Sequence, residues 1–309
     1  MNQLLLTVGD LVWDVLAQPD GLLLPGGDVA GQVALAPGGT AANSAVWLVR
    51  CGARAGFIGA IGADRLGDLA LDDLTREGVE HHVVRSAARP TGVILVMVAP
   101  DGQRSFVTSR GADFTLRPEQ LPEPLVASCR HLHLSAWSLF TDPPRAASVR
   151  AAQIARAAGA TISLDPGSYQ IIEQLGPDGF AAISAGIQVD FLFPNRDEAR
   201  ALTGETDPEA MAVSLLARYP GAMIVLKLDG DGCLVARGAE RGFYPGIDVP
   251  VVDSTGAGDS FAGAFLASYL RDGDSAAAAT LANQVGAWVV ARSGARPESD
   301  AALLAILGQ

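Results

Sequence analysis

The chain has 309 residues, 49% of them hydrophobic and 18% charged, long enough to bury a sizeable core and too apolar for a disordered protein. A formal net charge of −12, with 22 Lys and Arg, leaves no basic stripe to neutralise a nucleic-acid backbone, so nucleic acid is not expected as a partner. An acidic chain that handles anionic ligands needs local devices instead: helix N-termini, backbone N–H groups, metal ions and a few placed cations.

The opening MNQLLLTVGD has no cationic segment and reaches Asp10 before an apolar run can form. It reads as a first strand over Leu4–Val8 and not as a signal peptide, so a cytoplasmic location is expected. Thr40–Arg50 has helical composition, Arg54–Ile58 reads as a strand and Asp68–Glu77 as a helix. The alternation continues through His131–Leu134, Pro144–Ala158, Thr161–Leu164, Phe191–Phe193, Arg196–Leu202, Pro208–Ala217, Met223–Leu228, Ser260–Leu270 and Ser275–Ala291. This rhythm predicts an α/β fold, a mostly parallel sheet with helices on both faces, whose ligands sit beyond the carboxyl ends of the strands. One domain over residues 1–309 is expected, since no linker and no internal repeat divides the chain. Pro118–Pro124 and Gly294–Pro297 read as local turns.

Two stretches, Val12–Val33 and Thr91–Thr108, replace helices with Gly-Pro turns and short alternating strands. The second reads as a hairpin, Gly92–Ala99 and Gln103–Thr108 about a turn at Pro100-Asp101-Gly102. A small β lid built from residues 12–33 and 91–108 is expected to lie across the substrate, and its edges and apolar face suit pairing with a second subunit as a homodimer. An ordinary edge hairpin of the main sheet is the alternative. Ala276–Ala291 is apolar but too short to span a bilayer and carries Asn283 and Gln284, so no membrane segment is expected. Cys51, Cys129 and Cys233 are widely spaced in apolar company, which fits reduced core thiols, and His131 and His133 lack a third ligand nearby, which fits a structural role.

The most informative run is Asp253-Ser254-Thr255-Gly256-Ala257-Gly258-Asp259-Ser260-Phe261, followed by a helical stretch. A glycine-rich turn opening a helix presents unpaired N–H groups and the positive end of the helix dipole, so Gly256, Ala257 and Gly258 can form an anion hole. Asp259 then stands at its mouth, placed to take a proton from an attacking hydroxyl. The same residues also read as a plain helix N-cap, and the run alone does not separate the two. Neither GxxxxGK[ST] nor GxGxxG occurs, so ordinary P-loop and dinucleotide chemistry lose weight.

Asp253–Phe261 resembles the C-terminal signature of the ribokinase-like, or PfkB, carbohydrate kinases. Pro37-Gly38-Gly39-Thr40-Ala41-Ala42-Asn43-Ser44-Ala45 with Phe57–Gly67 resembles that family's N-terminal signature, and Pro194–Ala199 through Leu202-Thr203-Gly204 its middle motif. The resemblance implies a ribokinase-like three-layer α/β/α fold and transfer of the ATP γ-phosphate to a sugar hydroxyl, with Mg2+ and possible K+ dependence. It implies that Asp14, in Gly9–Asp14, holds sugar hydroxyls, with Gly38, Gly39 and Asn43 lining the pocket and the Asn43 amide both donating and accepting. Arg110 matches the place where relatives acting on keto-deoxy sugar acids carry an arginine, though a surface charge is the alternative.

Asn195 and Glu198 are three apart, on one side of a starting helix, and the family uses these positions to organise Mg2+ through water; a capping box is the plainer reading. Lys227, Gly230 and Gly232 resemble the nucleotide-binding turn, with Asp229 standing where the family usually has Gly. Asn283 matches a position flanking the adenine, and carbonyls around Asp253 and Thr255 with the Ser293-Gly294 turn resemble a monovalent-cation loop. A nucleoside kinase and a catalytically silent sugar or nucleotide sensor remain alternatives, and the identity of the sugar is not written in these motifs.

Overall fold

The computed structural model describes residues 3–98 and 104–309, so the turn expected at Pro100–Gly102 lies outside the described residues. The strands in chain order are β1 (Leu4–Val8), β2 (Val12–Pro19), β3 (Gly31–Gly38), β4 (Arg54–Gly62), β5 (Glu80–Ser86), β6 (Gly92–Val98), β7 (Arg104–Ser109), β8 (His131–Ser135), β9 (Thr161–Asp165), β10 (Phe191–Leu192), β11 (Met223–Lys227), β12 (Gly232–Arg237) and β13 (Glu240–Pro245). The helices are α1 (Thr40–Arg50), α2 (Arg65–Arg76), α3 (Glu123–Ser128), α4 (Pro144–Ala157), α5 (Tyr169–Ile183), α6 (Arg196–Thr203), α7 (Pro208–Arg218), α8 (Ala257–Asp272), α9 (Ser275–Val290) and α10 (Ala301–Leu307).

Nine strands form the main sheet in the order β13-β12-β11-β10-β9-β8-β1-β4-β5, parallel from β11 to β5 and closed at one edge by the antiparallel pair β12 and β13. Every residue of β1 is buried, because helices cover both faces and a strand between them needs an uninterrupted apolar run. Leu4, Leu6 and Val8 face the core packed under α3 to α7, while Leu5 faces the core under α1, α8 and α9. The expected α/β layers are present. Strand order reverses at β1, which lies between β8 and β4, and such a switch opens a crevice beyond the carboxyl ends of the strands. Among the described residues no helix is long and apolar enough to cross a membrane.

A separate four-stranded sheet runs β3-β2-β6-β7. Its register places Asp14 opposite Ala36 and Ile94, and Ile94 opposite Thr108, so these side chains share one face. Val15, Leu35, Leu95 and Val107 occupy the other.

Several elements escape sequence reading. Helix α5 contains Gly176 at φ 69 and Pro177, a Gly-Pro pair that breaks the helical pattern. Strand β5 is a polar edge strand, Glu-His-His-Val-Val-Arg-Ser, without clean alternation. The Pro118–Pro124 turn runs on into α3, and the Gly294–Pro297 turn carries a buried arginine described below. His131 and His133 are buried on β8, sharing the Ser163 hydroxyl, with burial holding His131 well below its ordinary value and His133 down to about 4, so both are neutral structural imidazoles. Cys51, Cys129 and Cys233 are buried free thiols.

Candidate active site

A cavity of about 530 Å3 opens at the carboxyl ends of the central strands, between the main sheet and the inner face of the small one. Its walls include Asp10 and Asp14, Asn43 of α1, Ile94 and Thr108 of the small sheet, Asn195, Glu198, Gly256 and Asp259.

Asp259 lies in the first turn of α8, which opens at Gly256 in the left-handed conformation, φ 73. A Cβ at Gly256 would meet the Ala295 Cα and Cβ at 2.6 Å, so conformation and space both demand glycine. Of Gly256, Ala257 and Gly258, the residues expected to form an anion hole, Ala257 turns its N–H back to the Ser254 carbonyl at 3.3 Å. The N–H groups of Gly258 and Asp259 follow in the same first turn, where an α-helix leaves its N–H groups without intrahelical partners. Burial pushes the Asp259 carboxyl up to about 8, with Asp165 and Asp10 adding, while the Asn43 hydrogen bond and Lys227 pull it down.

Asn43 Nδ2 donates to Asp259 Oδ2 at 2.7 Å, and its Oδ1 accepts from Arg296 Nε at 2.7 Å. Of the donors and acceptors this amide was expected to offer sugar hydroxyls, one N–H is committed to Asp259 and one lone pair of the oxygen to Arg296 inside the protein.

Asp14 projects from β2 into the cavity, and Gly38 faces it across the β2–β3 pair region, where a Cβ would meet the Asp14 carboxylate at 2.5 Å. Gly39 adopts φ 99 with the Asp10 carbonyl 2.5 Å from where its Cβ would be. Because Gly39 has no side chain to cap α1, Asp10 does it from the end of β1, accepting from the N–H of Thr40 at 2.8 Å and of Ala41 at 3.2 Å. Burial raises Asp10, and it raises Asp14 to about 6 and Asp113 to about 7, Asp10 adding to both. Sequence reading overlooked Asp10 and Asp113. The signal was there for Asp10, a second acid beside Asp14 just past the first strand.

Asn195 and Glu198 form a full capping box, Asn195 Oδ1 accepting from the Glu198 N–H at 2.8 Å and Glu198 Oε2 from the Asn195 N–H at 2.9 Å. Both still line the cavity, and burial with Asp165 nearby lifts Glu198 to about 7. Lys227 points inward from β11 and pairs with Asp165 at 2.7 Å; its Nζ lies 3.1 Å from where a Gly258 Cβ would stand. Burial alone would lower Lys227, but Asp165, Glu198 and Asp259 outweigh it and hold it above its ordinary value. Asp165, missed in sequence, ends β9, where the strand-end rule would have marked it.

Asp229 takes φ 54, the conformation a glycine would occupy more easily, and its exposed carboxylate lies 4.0 Å from Arg196. Gly232 takes φ 107 against the Tyr244 carbonyl, whereas Gly230 has open space around it. Asn283, expected to flank the adenine, gives its Nδ2 to the carbonyls of Tyr244 at 3.0 Å and Pro245 at 3.1 Å, which fastens α9 to β13. The Asp253 carboxylate accepts from the Thr255 N–H at 2.7 Å and the Gly294 N–H at 2.9 Å, joining the two segments of the expected cation loop; Ser293 is exposed. Arg110 does not line the cavity; it is exposed with its guanidinium 4.7 Å above the ring of Phe114, which does.

The buried carboxyl of Asp259 gives a stability test. A carboxyl raised from near 4 to about 8 adds stability below its unfolded value and loses it as pH rises through the folded value. The ligand-free Asp259→Asn protein is expected to melt higher than wild type at alkaline pH, the difference shrinking toward acid pH; differential scanning calorimetry across pH checks it.

This arrangement, a glycine-opened helix N-terminus and a buried carboxyl at the switch point of a parallel sheet, is that of a ribokinase-like α/β protein. A structure described as ribokinase II from E. coli, in complex with ATP and Mg2+, superposes with a TM-score of 0.85 over 98% of this chain and 97% of its own, at 26% identity. The pfkB family carbohydrate kinase profile matches residues 2–302. An ATP-dependent ribose-1-phosphate kinase of Halopiger xanaduensis is 34% identical, covering 96% of this chain and 95% of its own. Fructokinase-1 of Oryza sativa subsp. japonica is 32% identical over 96% and 94%. The chain belongs to the pfkB family of carbohydrate kinases.

Proposed function

We propose that this protein transfers the γ-phosphate of ATP to a hydroxyl of an uncharged sugar, with Asp259 as the general base. The observation that carries the substrate class is the acidic composition of the cavity wall: Asp10, Asp14, Asp113, Glu198 and Asp259 line it, and among the described residues no Lys, Arg or His does. Carboxyl groups hydrogen-bond hydroxyls in either protonation state, and those that are ionised repel anions, most strongly where water is scarce. A sugar acid or sugar phosphate would meet that wall with no cation in it, the Lys227 ammonium being paired with Asp165 and the Arg110 guanidinium lying over Phe114, although a relative is named for ribose 1-phosphate.

The sugar hydroxyl oxygen attacks the γ-phosphorus as its proton passes to Asp259. The bond from that phosphorus to the β,γ-bridging oxygen breaks, and ADP leaves with the electron pair. The first-turn N–H groups of α8 and the Lys227 ammonium face the charge that develops on the transferring group. Asp14, with Gly38 and Gly39 clearing space beside it, holds other hydroxyls of the ring.

Nucleotide is assigned to the adjoining groove of Asn195, Lys227, Gly230 and Gly232, with Asn283 shaping it through β13. Among the described residues no group of three His, Cys, Asp or Glu side chains is arranged to hold a metal ion. One buried carboxylate, Glu198, still fits Mg2+, which keeps most of its waters and binds chiefly to phosphate. When bound, Mg2+ would neutralise phosphate charge during transfer. A K+ ion is assigned to the loop of Asp253, Thr255 and Ser293 through backbone oxygens, since the Asp253 carboxylate is spent on two N–H groups. The small sheet would close over the sugar as a lid, and its outer face, with Val33, Leu35 and Val107 exposed, favours a homodimer. A cytoplasmic location fits this substrate set.

ADP formation from MgATP across neutral pentoses and hexoses, keto-deoxy sugar acids, ribose 1-phosphate and nucleosides tests the substrate class. A neutral sugar is expected to exceed its charged counterpart by about 100-fold or more in kcat/KM. Preference for a sugar acid or sugar phosphate would overturn the substrate class while leaving the kinase reading standing. Preference for a nucleoside would assign the apolar wall of Ile94, Val96, Phe114 and Trp137 to a base.

A further inference from the structure

Arg296 sits in the segment between α9 and α10, two residues past the Ser293-Gly294 turn and far in sequence from the other motifs of the site, and its side chain is 1% exposed. Its guanidinium makes three fixed hydrogen bonds. Nη1 donates to Asp73 Oδ2 of α2 at 2.6 Å, Nε to Asn43 Oδ1 at 2.7 Å, and Nη2 to the Gly38 carbonyl at 3.3 Å. The segment around it is pinned to α1 as well, Trp47 Nε1 donating to the Ala295 carbonyl at 3.0 Å and Arg50 Nη1 to the Pro297 carbonyl at 2.7 Å.

A guanidinium is a donor only, so the amide atom of Asn43 facing it must be the oxygen. That leaves the Asn43 nitrogen, and no other atom, to face Asp259, where it donates at 2.7 Å. Were the amide turned over, its NH2 would meet the guanidinium and its oxygen would meet the carboxylate, two repulsive contacts in a buried site. A buried ion pair such as Arg296–Asp73 gives little net stability over an apolar pair of the same shape, which makes a purely structural purpose a weak explanation for it.

We propose that Arg296 is a positioning residue for phosphoryl transfer: anchored by Asp73, it locks the Asn43 amide so that the amide holds the Asp259 carboxylate aimed into the cavity. The inference rests on the reading of Asp259 as the base. The same segment also touches the anion hole, since Ala295 is the residue that a Cβ on Gly256 would strike, so one turn supports the base and the hole together.

The charged groups that bear on Asp259 are Asp10 past β1, Asp165 at the end of β9 and Lys227 on β11, with Asn43 as the neutral donor from α1. Glu198 of α6 lines the same cavity. Breaking the relay leaves all of these charges in place and removes only the donor that stabilises the ionised carboxylate.

Two variants read this out. Arg296→Lys keeps a cation beside Asp73 but loses the fork that reaches Asn43. Asn43→Ala leaves the Arg296–Asp73 pair intact, so it reports even where the first variant fails to fold. With the sugar that the substrate panel selects, each is expected to lower kcat about 10- to 100-fold near neutral pH with KM for ATP unchanged. The acid limb of the kcat profile should move up by about one pH unit or more, so that activity recovers at alkaline pH. The double variant should lose no more than either single one. Equal proportional losses at every pH with the limb in place, or additive losses in the double variant, would overturn the relay and leave the base assignment untouched. A wild-type profile with no acid limb would instead sink Asp259 as the base.

Discussion

Asp259→Asn is expected to lower kcat by about 100- to 10,000-fold, the range general-base catalysis contributes, while MgATP binding stays close to wild type. The amide keeps the size of the carboxylate and can still accept the hydrogen bond from Asn43, so the site should stay assembled and lose only its proton acceptor. The neighbourhood explains why the wild-type group is poised to act. Burial raises its carboxyl to about 8, so a proton taken from a hydroxyl is held and not lost at once to a more basic partner. In the ligand-free site this predicts a kcat/KM that climbs with pH through about 8. Steady-state kinetics of wild type and variant, with nucleotide affinity measured separately by calorimetry, check both parts. Wild-type turnover by the variant would remove Asp259 from the chemistry.

Gly256→Ala is expected to be the second most damaging single change, with kcat lowered by about 100- to 1,000-fold, the cost of losing one well-placed anion-hole donor. Two effects act at once. The residue adopts φ 73, a conformation that costs an alanine roughly 1–2 kcal/mol, and the new methyl would lie 2.6 Å from Ala295. Either the first turn of α8 rotates away from the cavity or the segment carrying Ala295 and Arg296 moves out, and both outcomes misplace a donor or the base. A lower melting temperature should accompany the kinetic loss. Gly230→Ala serves as the contrast, since nothing lies within 4 Å of a Cβ there, and it should fold and melt like wild type.

The parallel strands other than β5, most of the flanking helices and the second, smaller sheet were legible from local composition and patterning, whereas β5, β12, β13 and α5 were not. β1 is apolar throughout, as a strand covered on both faces must be, and α1 and α4 begin where their composition turns helical. Asp259, Gly256 and Asp14 were legible because short motifs carried them. Other parts of the site lie outside such motifs. Asp113 is a single acid whose importance comes from burial near Asp10, which no spacing announces, and Asp165 has only its place at the end of β9 to mark it, its pairing with Lys227 appearing in the fold alone. Arg296 was hidden in what reads as a turn, and its partners Asn43 and Asp73 lie 253 and 223 residues away. Asn43 and Asn283 stand out in the sequence as site residues, but the internal partners that hold their amides show only in the fold, since a side chain's free valences depend on tertiary neighbours.

The most direct test of the whole account is mass-spectrometric detection of a phosphorylated product after wild type and Asp259→Asn are incubated in parallel with MgATP and the neutral-sugar panel. The expected result is one phosphorylated neutral sugar, formed in step with ADP by wild type and nearly absent with the variant. No phosphorylated neutral sugar with wild type, or equal yields from the two proteins, would contradict it.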